Sequence, residues 1–102
     1  MTLNLPELQI AVPQLYAEVA KAQINANDMD AAEKSIETGF HIDPSEPTLW
    51  VAEARLLRAR DMTPLALASV NYALAIWKDA DEDDMLAKKA RVLAAELQSD
   101  DQ

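Results

Sequence analysis

Apolar residues recur every three or four positions along most of the chain, and each such run closes at a cluster of Asp, Asn or Pro. Leu15, Val19, Ala22 and Ala26 form a stripe on one predicted helix, from Gln14 to about Ala26. Asn27-Asp28-Met29-Asp30 breaks it, with Asn27 suited to left-handed geometry. Asp28 or Asp30 then caps a second helix, from about Ala31 to His41, whose buried stripe should be Ala32, Ser35, Ile36, Gly39 and Phe40. Asp43-Pro44-Ser45-Glu46-Pro47 is a link in which Ser45 is placed to cap a third helix running to about Arg60. Asp61-Met62-Thr63-Pro64 makes the next turn, with Thr63 as N-cap and Pro64 at the first helical position, and a fourth helix reaches about Lys78. A final helix spans about Asp84 to Leu97, with the stripe Leu86, Ala90, Leu93 and Leu97. Ahead of all these, Asn4-Leu5-Pro6-Glu7 reads as a capped helix start that Pro13 keeps short. This segment, 1–12, either covers the flank of the first helix pair or forms an ordered tail.

The four middle helices repeat. Adding 34 to each residue number lays Pro13–Glu46 over Pro47–Ala80, bringing Tyr16 onto Trp50, Ala20 onto Ala54, Ala32 onto Ala66 and Ser35 onto Ser69. Ile36 meets Val70, Gly39 meets Ala73, Phe40 meets Leu74 and Ile42 meets Ile76. Small residues match small ones and bulky residues match bulky ones. A period of about 34 residues over a helix-turn-helix unit resembles the tetratricopeptide (TPR) family. Against the family pattern, repeat one offers Tyr16, Val19, Ala20, Gln23, Ala32, Ile36 and Pro44, and repeat two offers Trp50, Glu53, Ala54, Leu57, Ala66, Val70 and Lys78. Gln23 replaces an aromatic, Glu53 a core Leu and Lys78 the closing Pro. The resemblance implies an all-α solenoid fragment with a right-handed superhelix: repeat one at 13–46, repeat two at 47–80, a capping helix at 84–97 and a frayed tail at 99–102. In this reading the capping helix is a half-repeat displaced by two residues, with Lys88, Lys89, Arg91 and Glu96 on its solvated face.

Composition narrows the function. The 102 residues make one domain at most, and the apolar half is mostly Ala and Leu, which suits closely packed helices. Cysteine is absent and there is one Gly, which removes disulfides, thiolate metal sites and Gly-rich phosphate loops. The net charge of −9 repels phosphate backbones, so nucleic acid is not an expected partner. No apolar run approaches the ~20 residues that span a bilayer, and Met1–Val12 lacks the basic start of a signal peptide. A cytoplasmic protein without cofactor or metal is expected.

The TPR resemblance implies a ligand groove lined by the first helix of each repeat. Its usual positions carry over to Ala17, Lys21, Ile24 and Asn25, then Val51, Arg55, Arg58 and Ala59, with Ala87 and Arg91 from the capping helix. Lys21, Arg55, Arg58 and Arg91 would make this concave face basic, which suits an acidic peptide or a carboxylate-bearing tail; otherwise they are solvated cations paired with Glu18 and its neighbours. The positions of the family's carboxylate clamp read Ala17, Lys21, Ala52, Asp84 and Lys88, so the clamp is absent in its known form. Glu53, at a core position, must find a partner such as Arg91 or Lys89, or else sit at the rim in water. Asp79, Asp81 and Asp83 have the spacing of the first EF-hand ligands, but Asp84 and Ala90 stand where Gly and Glu are needed, so calcium is not expected. His41 has no nucleophile or second His in a recognisable arrangement, and Trp77 should pack beneath the capping helix, the alternative being an exposed contact residue. The expected function is a non-enzymatic protein-interaction module of adaptor or co-chaperone type. The alternative is an assembly unit that homodimerises or docks through its repeat ends.

Overall fold

Proline opens three of the helices, because it lacks the N–H that a first helical turn leaves unpaired and already holds a helical φ. In the computed structural model, which describes residues 12–79 and 84–100, Pro13 opens α1 (Pro13–Asn25) and Pro47 opens α3 (Pro47–Ala59). Pro64 lies in the first turn of α4 (Thr63–Ile76). The remaining helices are α2 (Met29–Ile42) and α5 (Met85–Asp100), and no strand occurs among the described residues. The fold is all-α. The expected helix at the start of the chain lies outside the described residues.

The interval of 34 residues governs the backbone itself. Both ends of α3 lie 34 residues beyond those of α1, and both ends of α4 lie 34 beyond those of α2. Asn27 and Asp61 occupy the same place in the two turns, and both adopt left-handed geometry, with φ of 65° and 61°. The hydrogen bonds that close the turns recur as well. Asp28 N–H donates to the Gln23 carbonyl at 2.8 Å, as Met62 N–H does to the Leu57 carbonyl. One turn therefore serves twice, with Asn in one copy and Asp in the other.

Helix α3 is the shared wall between two cores. Leu49, Ala52 and Leu56 meet Ala17 and Ala20 of α1 and Ala32 and Ile36 of α2. Ala54, half a turn away, meets Ala66 and Val70 of α4 together with Ala90, Leu93, Ala94 and Leu97 of α5. Close approach depends on small residues at the crossings. A Cβ built on Gly39 would lie 2.5 and 2.9 Å from the two Leu49 methyls and 3.2 Å from Tyr16 Cβ, so glycine lets α2 settle against α1 and α3 together. Trp77 packs on the second core, as expected.

Several details depart from the sequence reading. The α1 stripe is misassigned: Leu15 and Val19 are 50% and 46% exposed, while Ala17 and Ala20 are buried. Ser45 does not cap α3. It donates both its N–H and its hydroxyl to Asp43 Oδ1, and the Glu46 carboxylate instead accepts from Thr48 N–H at 3.2 Å. Thr63 is already helical, so Met62 is the cap residue and provides no side-chain bond. Helix α4 stops at Ile76, short of Lys78. Asp28, rather than Asp30, accepts from Ala31 N–H, and Asp84 accepts from the N–H groups of Leu86 and Ala87 at the start of α5. Ala90, Leu93 and Leu97 of the α5 stripe are buried as expected, but Leu86 is exposed and Ala87 takes the buried place in the first turn. Ser99 and Asp100 are helical, not frayed.

Two predictions follow from the turns and the seam. Gly39→Ala should destabilise the fold by about 1–3 kcal/mol through overpacking, against the ~0.5–1 kcal/mol that Ala gains over Gly in a helix. In a Gly39→Ala/Leu49→Ala cycle read by urea denaturation, the double variant should be more stable than additivity allows; additivity within ~0.5 kcal/mol would refute the contact. Asp61→Gly should raise stability by roughly 0.5–1 kcal/mol by removing left-handed strain, with Asp61→Val lowering it, as thermal melts would show.

Candidate functional site

Helices α1 and α3 pack side by side, and the start of α5 stands across from them, so that one cleft runs along the face they share. Ala17, Glu18 and Lys21 come from α1, Thr48, Val51, Ala52 and Arg55 from α3, and Leu86 and Lys89 from α5. Trp77, just after α4, closes one end. The enclosed part of the cleft measures ≈ 60 Å³, room for a small side chain rather than a cofactor. Its floor of Val51, Ala52, Trp77 and Leu86 is apolar, and its rim carries three cations, Lys21, Arg55 and Lys89, against one acid, Glu18. None of the three cations is in an ion pair among the described residues.

The structure thus brings together Ala17, Lys21, Val51 and Arg55 from the residues expected in a groove and separates the others. Arg58 is taken up by α5: its guanidinium lies 3.0 Å from Glu96 and 3.0 Å from Asp100. The hydrogen bond to Glu96 is the main reason its pKa is raised, so it remains a fully charged strut between helices. Such an exposed pair contributes about 0–1 kcal/mol. Ile24 packs on the first core instead of facing a ligand. Asn25 is exposed at the end of α1, Arg91 is exposed on α5 away from the cleft lining, and Ala87 is wholly buried. Glu18, Thr48, Ala52, Trp77, Leu86 and Lys89 are the cleft residues outside the family groove positions. The sequence places Lys89 on a solvated face or beside Glu53 rather than in the cleft, because the register of α5 relative to α1 and α3 is not carried by its own periodicity.

Glu53 lies on the opposite side of α3. It shares a hollow of ≈ 350 Å³ with Trp50, Leu57, Leu65, Ala68, Ser69 and Tyr72, and neither Arg91 nor Lys89 reaches it as a partner. Burial raises its carboxyl pKa above the usual glutamate range; Glu33 adds to the rise, Arg60 opposes it and Glu37 adds again. Arg60 is itself engaged, 3.2 Å from Asp30 and 2.9 Å from Glu33. Gln23, in an expected aromatic position, accepts a 2.7 Å bond from the Ser35 hydroxyl, which pairs the two side chains across that seam. His41 is exposed in the last turn of α2, with Nδ1 2.9 Å from the Glu37 carbonyl. The described residues hold no cluster of three or more His, Cys, Asp and Glu suited to a metal ion, and none of their helices is long and apolar enough to cross a membrane.

The sign of the Glu53 shift fixes its pH dependence. A carboxyl raised in the folded state stabilises the fold below its unfolded pKa and loses that contribution as pH climbs through the raised value. Relative to wild type, Glu53→Gln should therefore gain stability progressively from acid to neutral pH across that window, measured as a difference in melting temperature. A difference independent of pH would place the carboxyl in open water.

Comparison of the chain with family models, with curated proteins and with solved structures finds no match.

Proposed function

We propose that this chain is a tetratricopeptide-type helical-repeat module that holds an acidic segment of a partner protein in the α1/α3/α5 cleft, without catalytic chemistry of its own. The observation that carries this reading is the convergence of Lys21, Arg55 and Lys89 over an apolar floor, in a chain whose net charge is −9. Charge of one sign gathered in a concave, partly desolvated site focuses the local field, so an oppositely charged segment that reaches the cleft is held there. The apolar floor gives such a segment one or two hydrophobic anchors, and the cations choose its sign. The recurrence of 34 residues in helix ends, left-handed turn residues and turn hydrogen bonds supports the repeat reading. A helical-repeat module of this kind belongs in the cytoplasm as an adaptor or a client-shielding co-chaperone.

A second reading rests on its own observation. Val12, Leu15 and Val19 leave an apolar strip exposed on the outer side of α1, where a repeat array would place its next neighbour. A second copy docking end-on would cover it and give a homodimer.

The two readings separate in one set of measurements. A labelled peptide alternating Asp with Leu should bind wild type by fluorescence anisotropy and weaken tenfold or more with Lys21→Glu/Arg55→Glu, while circular dichroism stays unchanged. Arg58→Glu, which breaks only the struts to α5, should leave binding within about twofold. Equal binding by wild type and the cleft variant would overturn the first reading. A concentration-dependent dimer on sizing, abolished by Leu15→Lys/Val19→Lys, would establish the second.

A further inference from the structure

The hollow on the far side of α3 differs in chemistry from the basic cleft. Trp50, Glu53 and Leu57 recur at three- and four-residue spacing, so they form one half-buried row of α3 between α2 and α4. Leu65, Ala68, Ser69 and Tyr72 of α4 make one wall. Phe40 of α2 extends the other side: its ring lies 4.8 Å from Trp50, whose ring in turn lies 4.6 Å from Tyr72, giving a continuous aromatic band across three helices. Trp50 is fixed in place by a 2.8 Å bond from Nε1 to the Pro44 carbonyl. Tyr72 and Leu65 remain half-exposed, so the band is open to solvent on the α4 side.

The charge around this band is negative. Glu53 lies in the hollow, Glu33 and Glu37 on α2 are close enough to disfavour its ionisation, and Asp30 and Glu33 engage Arg60. Arg60 is thus already held by two carboxylates, and Glu53 has no ion-pair partner among the described residues. Burial of a carboxylate in such surroundings is costly unless a cation arrives. His41, beside Phe40, and the exposed Lys34 are the other titratable groups of α2.

We propose that this hollow is a second binding site, one that takes an arginine side chain from a basic peptide segment. The guanidinium meets the Glu53 carboxylate, and its flat face and aliphatic stem lie along Tyr72, Leu57 and Leu65. Arginine fits better than lysine, because a planar guanidinium can bond a carboxylate through two N–H groups while stacking on an aromatic ring. The volume of ≈ 350 Å³ accommodates that side chain with part of its backbone. The site is independent of the concave cleft, and the two can succeed or fail separately.

The test is an NMR titration of ¹⁵N-labelled protein with the capped peptide Gly-Arg-Gly-Arg-Gly, following the Trp50 indole N–H. A saturable shift is expected for wild type, weakened at least fivefold by Glu53→Gln and by Tyr72→Ala, and unchanged by Lys21→Gln/Arg55→Gln. The same peptide with citrulline for arginine, equal in shape but neutral, should give no saturable shift, and the lysine peptide should bind several-fold more weakly than the arginine one. Glu53→Gln keeps the size of the side chain, and circular dichroism checks that it folds. Binding unaffected by Glu53→Gln, equal shifts from arginine and citrulline peptides, or small shifts spread over the whole acidic surface would each overturn the proposal.

Discussion

Helix-to-helix distance at the small-residue crossings is the constraint on which the rest of this structure depends. Ala20, Ala32, Ala54, Ala66, Ala73, Ala87 and Ala90 are all buried to completion. At Gly39 even a methyl group would collide with the Leu49 side chain. Cores of this kind gain little from each residue, since an alanine removes far less apolar area than a leucine. They compensate by bringing backbones close, so that many weak dispersion contacts form along each seam. The bulky anchors are few, with Ile36, Leu49, Val70 and Leu97 the largest side chains fully enclosed. Each is held between small neighbours, and that is why volume matters more here than hydrophobicity.

Close packing also explains why α3 controls both candidate surfaces. A helix in the middle of such an array has every side occupied. Leu49, Ala52 and Leu56 face the first core, and Ala54 faces the second. Two strips remain: Thr48, Val51 and Arg55 toward the basic cleft, and Trp50, Glu53 and Leu57 toward the acidic hollow. Each strip is positioned by cores on either side of it, so neither depends on loop geometry. The struts from Arg58 to α5 and from Arg60 to α2 add orientation more than energy, because all four are substantially exposed.

The repeat was legible in the sequence because it is written in side-chain volume, and volume is what the seams select. Ala20 matching Ala54 and Ala32 matching Ala66 already placed four buried residues, and Asn27 announced a left-handed turn that Asp61 shares. Reading α1 by periodicity of apolar residues failed for the same physical reason. In a helix that packs through alanines, the larger Leu15 and Val19 stay outside, so the most hydrophobic stripe is not the buried one. Caps were misjudged where two adjacent residues could serve, as with Ser45 and Glu46, because the choice depends on the path of the link. The cleft was half legible. Lys21 and Arg55 sit on helices whose relation is fixed by the repeat, whereas Arg58, Arg91 and Lys89 depend on how α5 docks, and α5 packs chiefly on α4 with only light contact to α3.

That docking decides how charge is distributed over a strongly acidic molecule. With α5 set against α4, Glu96 and Asp100 neutralise Arg58, and Lys89 is turned toward Lys21 and Arg55. Three of the nine Lys and Arg residues thereby meet on one side of α3, while Asp30, Glu33, Glu37 and Glu53 gather on the other with Arg60 among them. The two sides are separated by the thickness of a helix, about 10 Å with side chains, so a ligand on one side lies closer to that side's charges than to the opposite set. Each field is therefore felt mainly by a ligand on its own side. A single helix wall can then present opposite charge to two partners without either surface cancelling the other, although the net charge of the whole chain would repel any acidic segment at long range.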